Sequence, residues 1–96
     1  MPKRTKDYRI GLLKELKDPQ AAQHYLNAAL EDSEEMFLRA LRAVAEAHQM
    51  SWVAEEAGVS RESLYRMLSD AGNPRYSSLT GILRAIGLRL AVEKAS

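Results

Sequence analysis

The residues of this chain best equipped for chemistry are Arg61, Glu62, Tyr65 and Arg66. Arg61 and Tyr65 are four apart, as are Glu62 and Arg66, so on a helix each pair shares an exposed face. Leu64, Met67 and Leu68 point the other way. An arginine on such a face can donate two hydrogen bonds to guanine O6 and N7, and a glutamate can accept from cytosine N4. This is equipment for reading base edges, not for making bonds. The plainer alternative is that Glu62 and Arg66 form a surface i,i+4 ion pair, worth only a few tenths of a kcal/mol.

The stretch 50–69 has the spacing needed to present these side chains. Ala54 is small where a first helix must pass close to a second, and Gly58 stands where that helix ends and the backbone must turn with a positive φ. Val53, Ala57, Val59, Leu64 and Met67 fill inward positions. Ser60 precedes Arg61 as an N-cap. A tight turn between two such helices projects the second into a DNA major groove. The expected helices are about 51–57 and 61–69.

Around this unit, Asp18-Pro19 is a strong helix start, because Asp caps and Pro suits the first helical position. That helix is expected to run to Leu30, with Ala22, Tyr25, Leu26, Ala29 and Leu30 on one face. Asp32 and Ser33 open the next, where Asp32-x-x-Glu35 resembles a capping box with Asp in place of Ser or Thr. Phe37, Leu38, Leu41, Val44, Ala45 and His48 give it a 3–4 spacing. The segment 70–74, Asp-Ala-Gly-Asn-Pro, is a loop, followed by a helix over about 77–86 that Gly87 stops.

Residues 1–7 read as a flexible basic arm, and 8–96 as a single helical domain. Tyr8, Ile10, Leu12 and Leu13 form either an extended segment or a weak helical turn. In 88–93, apolar residues alternate with polar or small ones, which is strand periodicity. A lone strand leaves its backbone unpaired, and pairing with a second copy about a two-fold axis would place Leu88, Leu90 and Val92 in a dimer interface. A helical extension, a disordered tail, or pairing with 8–13 in the same chain are the alternatives. The expected fold is all-α, with five helices and this short C-terminal strand.

Composition sets the limits. With 96 residues, 46% of them hydrophobic and 28% charged, the chain is one globular domain with a modest core. It has no cysteine, which removes disulfides and thiolate metal sites and suits a reducing cytoplasm, the expected location. No apolar run approaches a membrane span or a signal-peptide core. The net charge of +1 is unevenly spread: residues 1–17 carry +4, 18–35 carry −5 with no Lys or Arg, and 61–96 carry +3. Phosphate attraction follows local charge, so near-neutrality does not exclude DNA. Charges that merely solvate helix faces are the alternative for the acidic stretch.

Catalysis finds no support. His24 and His48 are isolated among apolar helical neighbours, and no carboxylate pair, phosphate loop or nucleophile elbow accompanies the serines. No cofactor and no metal is implied.

The run Ser51 to Ser69 resembles the lambda-repressor-like, Xre-type helix-turn-helix. The continuation Gly72-Asn73-Pro74, then Leu79, Ile82, Leu83, Ala85, Ile86, Gly87 and Leu88, together with 24–30 upstream, is similar to addiction-module antidote proteins. These are the antitoxins encoded beside RelE/HigB-like toxins. The resemblance covers about residues 8–92. It implies two activities, neutralising the toxin and repressing the shared operon as a homodimer on operator DNA. It places Arg61, Glu62, Tyr65 and Arg66 against base edges. Phosphate contacts fall to Gln49, Ser51, Ser60 and Ser63 at helix starts, and to Asn73, Arg75 and Tyr76 in the following loop. Such toxins are basic, so Glu31, Asp32, Glu34 and Glu35 are the candidate toxin contacts. A stand-alone regulator without a toxin, or a protein-interaction module on the same fold, are the other readings.

Overall fold

The computed structural model describes residues 2–96, with side chains from Asp7 onward. Among them six helices follow one another: α1 (Pro2–Glu15), α2 (Pro19–Asp32), α3 (Glu34–Ala47), α4 (Met50–Ala57), α5 (Arg61–Met67) and α6 (Tyr76–Ala85). The all-α expectation holds, with one helix more than the sequence suggested and no strand among the described residues.

Local chemistry sets most boundaries. Asp18 accepts from the Gln20 amide at 3.4 Å, and Pro19 opens α2. Ser33 caps α3, its Oγ accepting from the Met36 amide at 3.1 Å. Asp32 is instead the last residue of α2, and with Ser33 as the cap the third helical residue is Met36, so the expected Asp32–Glu35 capping box does not form. α4 ends at Gly58, which takes φ 73°, and the Val59 amide bonds back to the Ala54 carbonyl at 3.0 Å. That closure leaves orphan carbonyls satisfied and needs a residue that tolerates the left-handed region.

The core is one apolar cluster. Its fully covered side chains include Leu16, Leu41, Val44, Val53, Leu64, Leu68, Ile82 and Ile86, drawn from α3 to α6 and from the residues just after α1, α5 and α6. α3 is the central support, with α2 and α1 packed on it and α4 joined to its end; α4 in turn carries both α5 and α6. No polar residue is among the buried ones.

Two expectations change at the ends. A helix, α1, covers the backbone from Pro2 onward, where a flexible arm over 1–7 and then an extended segment or weak turn were expected. Leu12 and Leu13 of α1, and Leu16 just after it, pack on the core at helical spacing, and α1 contacts α3. Met1 and the side chains of the arm lie outside the described residues. Because 8–13 is helical, pairing of the tail with it inside the chain is ruled out. Residues 88–96 form no ladder, since one alternating segment has no neighbouring strand in this chain to bond with. No helix among the described residues is long and apolar enough to cross a membrane.

Candidate nucleic-acid interface

α5 is a short helix held by its ends and by one fully buried anchor. Ser60 Oγ accepts from the Ser63 amide at 3.0 Å, so the expected cap forms. Leu64 is completely covered beneath the helix. Arg61, Glu62 and Arg66 remain exposed on the outer face, and Tyr65 is half-buried beside them. The expected base-reading side chains are therefore brought together on one face. Arg61 stacks on the Tyr65 ring, with its guanidinium carbon 5.6 Å from the ring centroid. Glu62 and Arg66 do not pair; Arg66 leans to Ser63 Oγ at 3.5 Å.

The residues expected at phosphates divide into two sets. Gln49, Ser51, Asn73, Arg75 and Tyr76 are exposed. Gln49 turns at φ 75° just before α4 and makes no side-chain cap, which leaves its amide group available. A non-glycine residue in that region stores on the order of 1–3 kcal/mol of strain. Ser60 and Ser63 are already engaged: the Ser60 hydroxyl donates to Ser63 Oγ at 2.9 Å, in addition to its capping bond. Their first task is to fix the start of α5.

Three arginines that sequence reasoning passed over adjoin this face. Arg42 on α3 also lies over the Tyr65 ring, with its guanidinium carbon 5.2 Å from the centroid, so Tyr65 has two cations near it. Arg42 also donates to Glu46 at 3.0 Å, and Glu46 binds Arg9 of α1. Arg39 grips Asp70 through two bonds of 3.0 and 3.1 Å, tying α3 to the turn after α5. This pair holds the Asp70 carboxyl below the usual carboxylate range, through the hydrogen bond first and the charge second. A cavity of about 220 Å³ lies among Arg9, Arg39, Arg42, Glu46 and Asp70. The available signal was spacing: Arg39, Arg42 and Glu46 fall at i, i+3 and i+7, one polar stripe on α3.

The loop behind α5 is fixed by a close approach. A Cβ on Gly72 would lie 2.0 Å from the Met67 carbonyl oxygen and 2.9 Å from that of Ser69. Both are backbone atoms, so the loop carrying Asn73 and Arg75 must shift to admit one. Gly72→Ala should therefore cost about 1–3 kcal/mol, seen as a lower urea midpoint at constant m. An unchanged midpoint would mean that the loop moves aside freely.

His48 closes α3 just ahead of this unit. It stacks on Trp52 at 6.3 Å between centroids, and its Nε2 is buried without a partner. Burial, and then the charge of Lys17, lower its pKa from the ordinary 6.5. Below about pH 6.5 the unfolded chain therefore takes the proton more readily than the folded one. Stability should fall with pH from there until the folded-state value is passed. Thermal melts from pH 7.5 to 5.5 should show this decline in the native chain and a smaller one in His48→Phe. Equal declines would remove His48 as the cause.

The other predicted residues sit apart from this face. Glu31, Asp32, Glu34 and Glu35 are exposed at the α2–α3 corner, and none joins an ion pair among the described residues. Leu88 is half-buried against the chain's own core, Leu90 is 42% exposed and Val92 is fully exposed. His24 is exposed on α2. Among the described residues no His, Asp or Glu cluster could hold a metal ion.

Comparison with known proteins adds the family. The sequence profile of the family described as probable addiction module antidote protein matches residues 7–94. An uncharacterized protein of Haemophilus influenzae is 36% identical over 96 residues, covering 99% of this chain and 97% of that protein. No solved structure matches the chain. With the match spanning nearly all of its length, the chain belongs to the family of probable addiction module antidote proteins.

Proposed function

We propose that the chain is the antitoxin of a type II toxin–antitoxin module. It neutralises a RelE/HigB-like toxin in the cytoplasm and represses its own operon as a homodimer bound to operator DNA. The observation that carries the DNA half of this reading is the outward face of α5. Arg61, Glu62, Tyr65 and Arg66 stand together there on a helix capped by Ser60 and turned by Gly58. On this reading α4 and α5 form a lambda-repressor-like helix-turn-helix, with α5 in the major groove. Gln49, Ser51, Asn73, Arg75 and Tyr76 contact phosphates around it, and Ser60 and Ser63 do so through whatever capacity their own bonds leave.

Dimerisation is assigned to the tail. Residues 88–93 belong to no helix or ladder among the described residues, and Val92 is fully exposed. Antiparallel pairing with a second copy would satisfy that backbone and cover Leu90 and Val92, with Leu88 at its root. A two-fold axis there would present two α5 helices to a palindrome. The toxin half of the reading follows from the family. Its contact surface is placed on the unneutralised carboxylates Glu31, Asp32, Glu34 and Glu35.

The test is genetic and has two arms. Expression of the toxin encoded beside this chain should arrest growth, and co-expression of the chain should restore it. A reporter driven by the operon's own promoter should fall when the chain is supplied. Repression without rescue would favour a stand-alone regulator. Rescue without repression would confine α5 to a protein-interaction role.

A further inference from the structure

Arg61 opens α5 and has no carboxylate partner among the described residues. The contact it does make is with the Tyr65 ring, 5.6 Å from its guanidinium carbon to the centroid. The two are four apart, so the helix itself sets them side by side. A free arginine samples many rotamers, and that freedom is lost when it binds a base edge. An aromatic ring against the guanidinium removes part of it in advance. Such a support works only as far as the ring is itself held, and a seven-residue helix has little hold of its own.

A second hold on the ring comes from α3. Arg42 lies over the same ring, with its guanidinium carbon 5.2 Å from the centroid. Its Nε donates to Glu46 Oε1 at 3.0 Å, one turn further along α3. The other carboxylate oxygen of Glu46 accepts from Arg9 of α1, so Glu46 is engaged from two helices. One difference between the two arginines separates their roles. The charge of Arg42 is already met by a carboxylate, which weakens its pull on a phosphate, whereas that of Arg61 is not. Arg42 is equipped to hold, and Arg61 to read.

We propose that Arg42 is a positioning residue for operator recognition: held by Glu46, it fixes the Tyr65 ring against which Arg61 is aimed at its base. It touches no base itself and acts through Arg61. The assignment rests on the DNA-binding reading of α5 and adds to it a determinant of specificity on another helix. Arg39, one turn before Arg42, ties the same helix to Asp70 beyond the end of α5, so α3 braces the reading helix near both its face and its exit.

The test is titration of the full-length chain with fluorescent duplexes: the operator, a scrambled control, and a panel with each operator base pair changed in turn. Arg42→Ala should weaken operator binding about tenfold, the lower end of what one arginine–base contact contributes. It should lose discrimination at the base pair where Arg61→Ala loses it, and at no other. Once Arg61 is gone, Arg42→Ala should make no further difference. The slope of affinity against salt should stay as in the native chain. Should Arg42→Ala melt too low for titration, Arg42→Gln, which keeps a polar stem without the charge, carries the same prediction. A uniform loss on operator and scrambled duplex, with a salt slope lower by about one, would make Arg42 a phosphate contact and overturn the proposal. Discrimination lost as much at the base pair of Arg66 would reduce Arg42 to a general brace of α5 and overturn it too. So would losses that add in the double variant, or native affinity and preference in both Arg42 variants. Each of these leaves operator binding by α5 standing. A native chain that does not distinguish operator from scrambled duplex would remove both.

Discussion

Leu64→Ala should lower the stability of the chain by about 2–5 kcal/mol and weaken DNA binding with it. Leu64 is the fully covered anchor beneath a helix of seven residues. A helix that short has no stability of its own in water, so α5 exists because it is packed. Truncation removes the anchor's transfer free energy and leaves a cavity that the surrounding core only partly fills. A loss of this size is a large part of the roughly 5–15 kcal/mol typical of a domain. Leu64→Met keeps the volume and should cost less than about 1.5 kcal/mol. Urea titration followed by circular dichroism checks both values. A loss below about 1 kcal/mol for Leu64→Ala would show that α5 does not depend on this anchor.

The second large effect concerns binding. In the proposed docking, Arg61→Ala with Arg66→Ala removes two arginines from the reading face, each worth about 1–3 kcal/mol against the wrong base. Operator affinity should fall on the order of 100-fold or more, towards the affinity for unrelated duplex. Both side chains are exposed and neither is in an ion pair among the described residues, so stability should change little. Toxin affinity should not change, because the carboxylates proposed to meet the toxin lie at the α2–α3 corner and not on α5. Titration of fluorescent operator and scrambled duplexes separates sequence preference from phosphate attraction. Retention of the native preference would place base reading elsewhere on the surface. Arg42 would be the first residue to examine, since it flanks Tyr65 from α3.

Much of this architecture was legible in local chemistry. Asp18-Pro19, Ser60 and Gly58 mark helix ends through hydrogen bonds that span at most five residues, and such signals are written in the sequence. The face of α5 was readable for the same reason: four-residue spacing alone sorts Arg61, Glu62, Tyr65 and Arg66 from Leu64. Where a choice between neighbours decides the boundary, the sequence was less clear. Asp32 and Ser33 can both cap, and Ser33 does so while Asp32 completes the preceding helix.

What was not legible depends on distant partners. α1 has weak periodicity, Gly11 within it, and a basic start; its end is fixed by Leu12, Leu13 and Leu16 packing on the core. The alternation in 88–93 reads as a strand, yet a ladder needs a second strand, and none is present among the described residues. Arg42 was missed because the Tyr65 ring it covers is far along the chain, and Arg39 and Arg9 because their partners, Asp70 and Glu46, are tens of residues away. Only the fold, which packs α1 on α3 and brings Tyr65 and Asp70 to α3, places them together.

The most direct test of the central claim is binding of the purified chain to duplex DNA from immediately upstream of its own operon. Light scattering on the same sample gives the mass of the species that binds. The expected result is a dimer that binds a palindrome tightly, loses affinity steeply as salt rises, and discriminates against scrambled DNA. A monomer with no preference between operator and scrambled duplex at low salt would contradict the account.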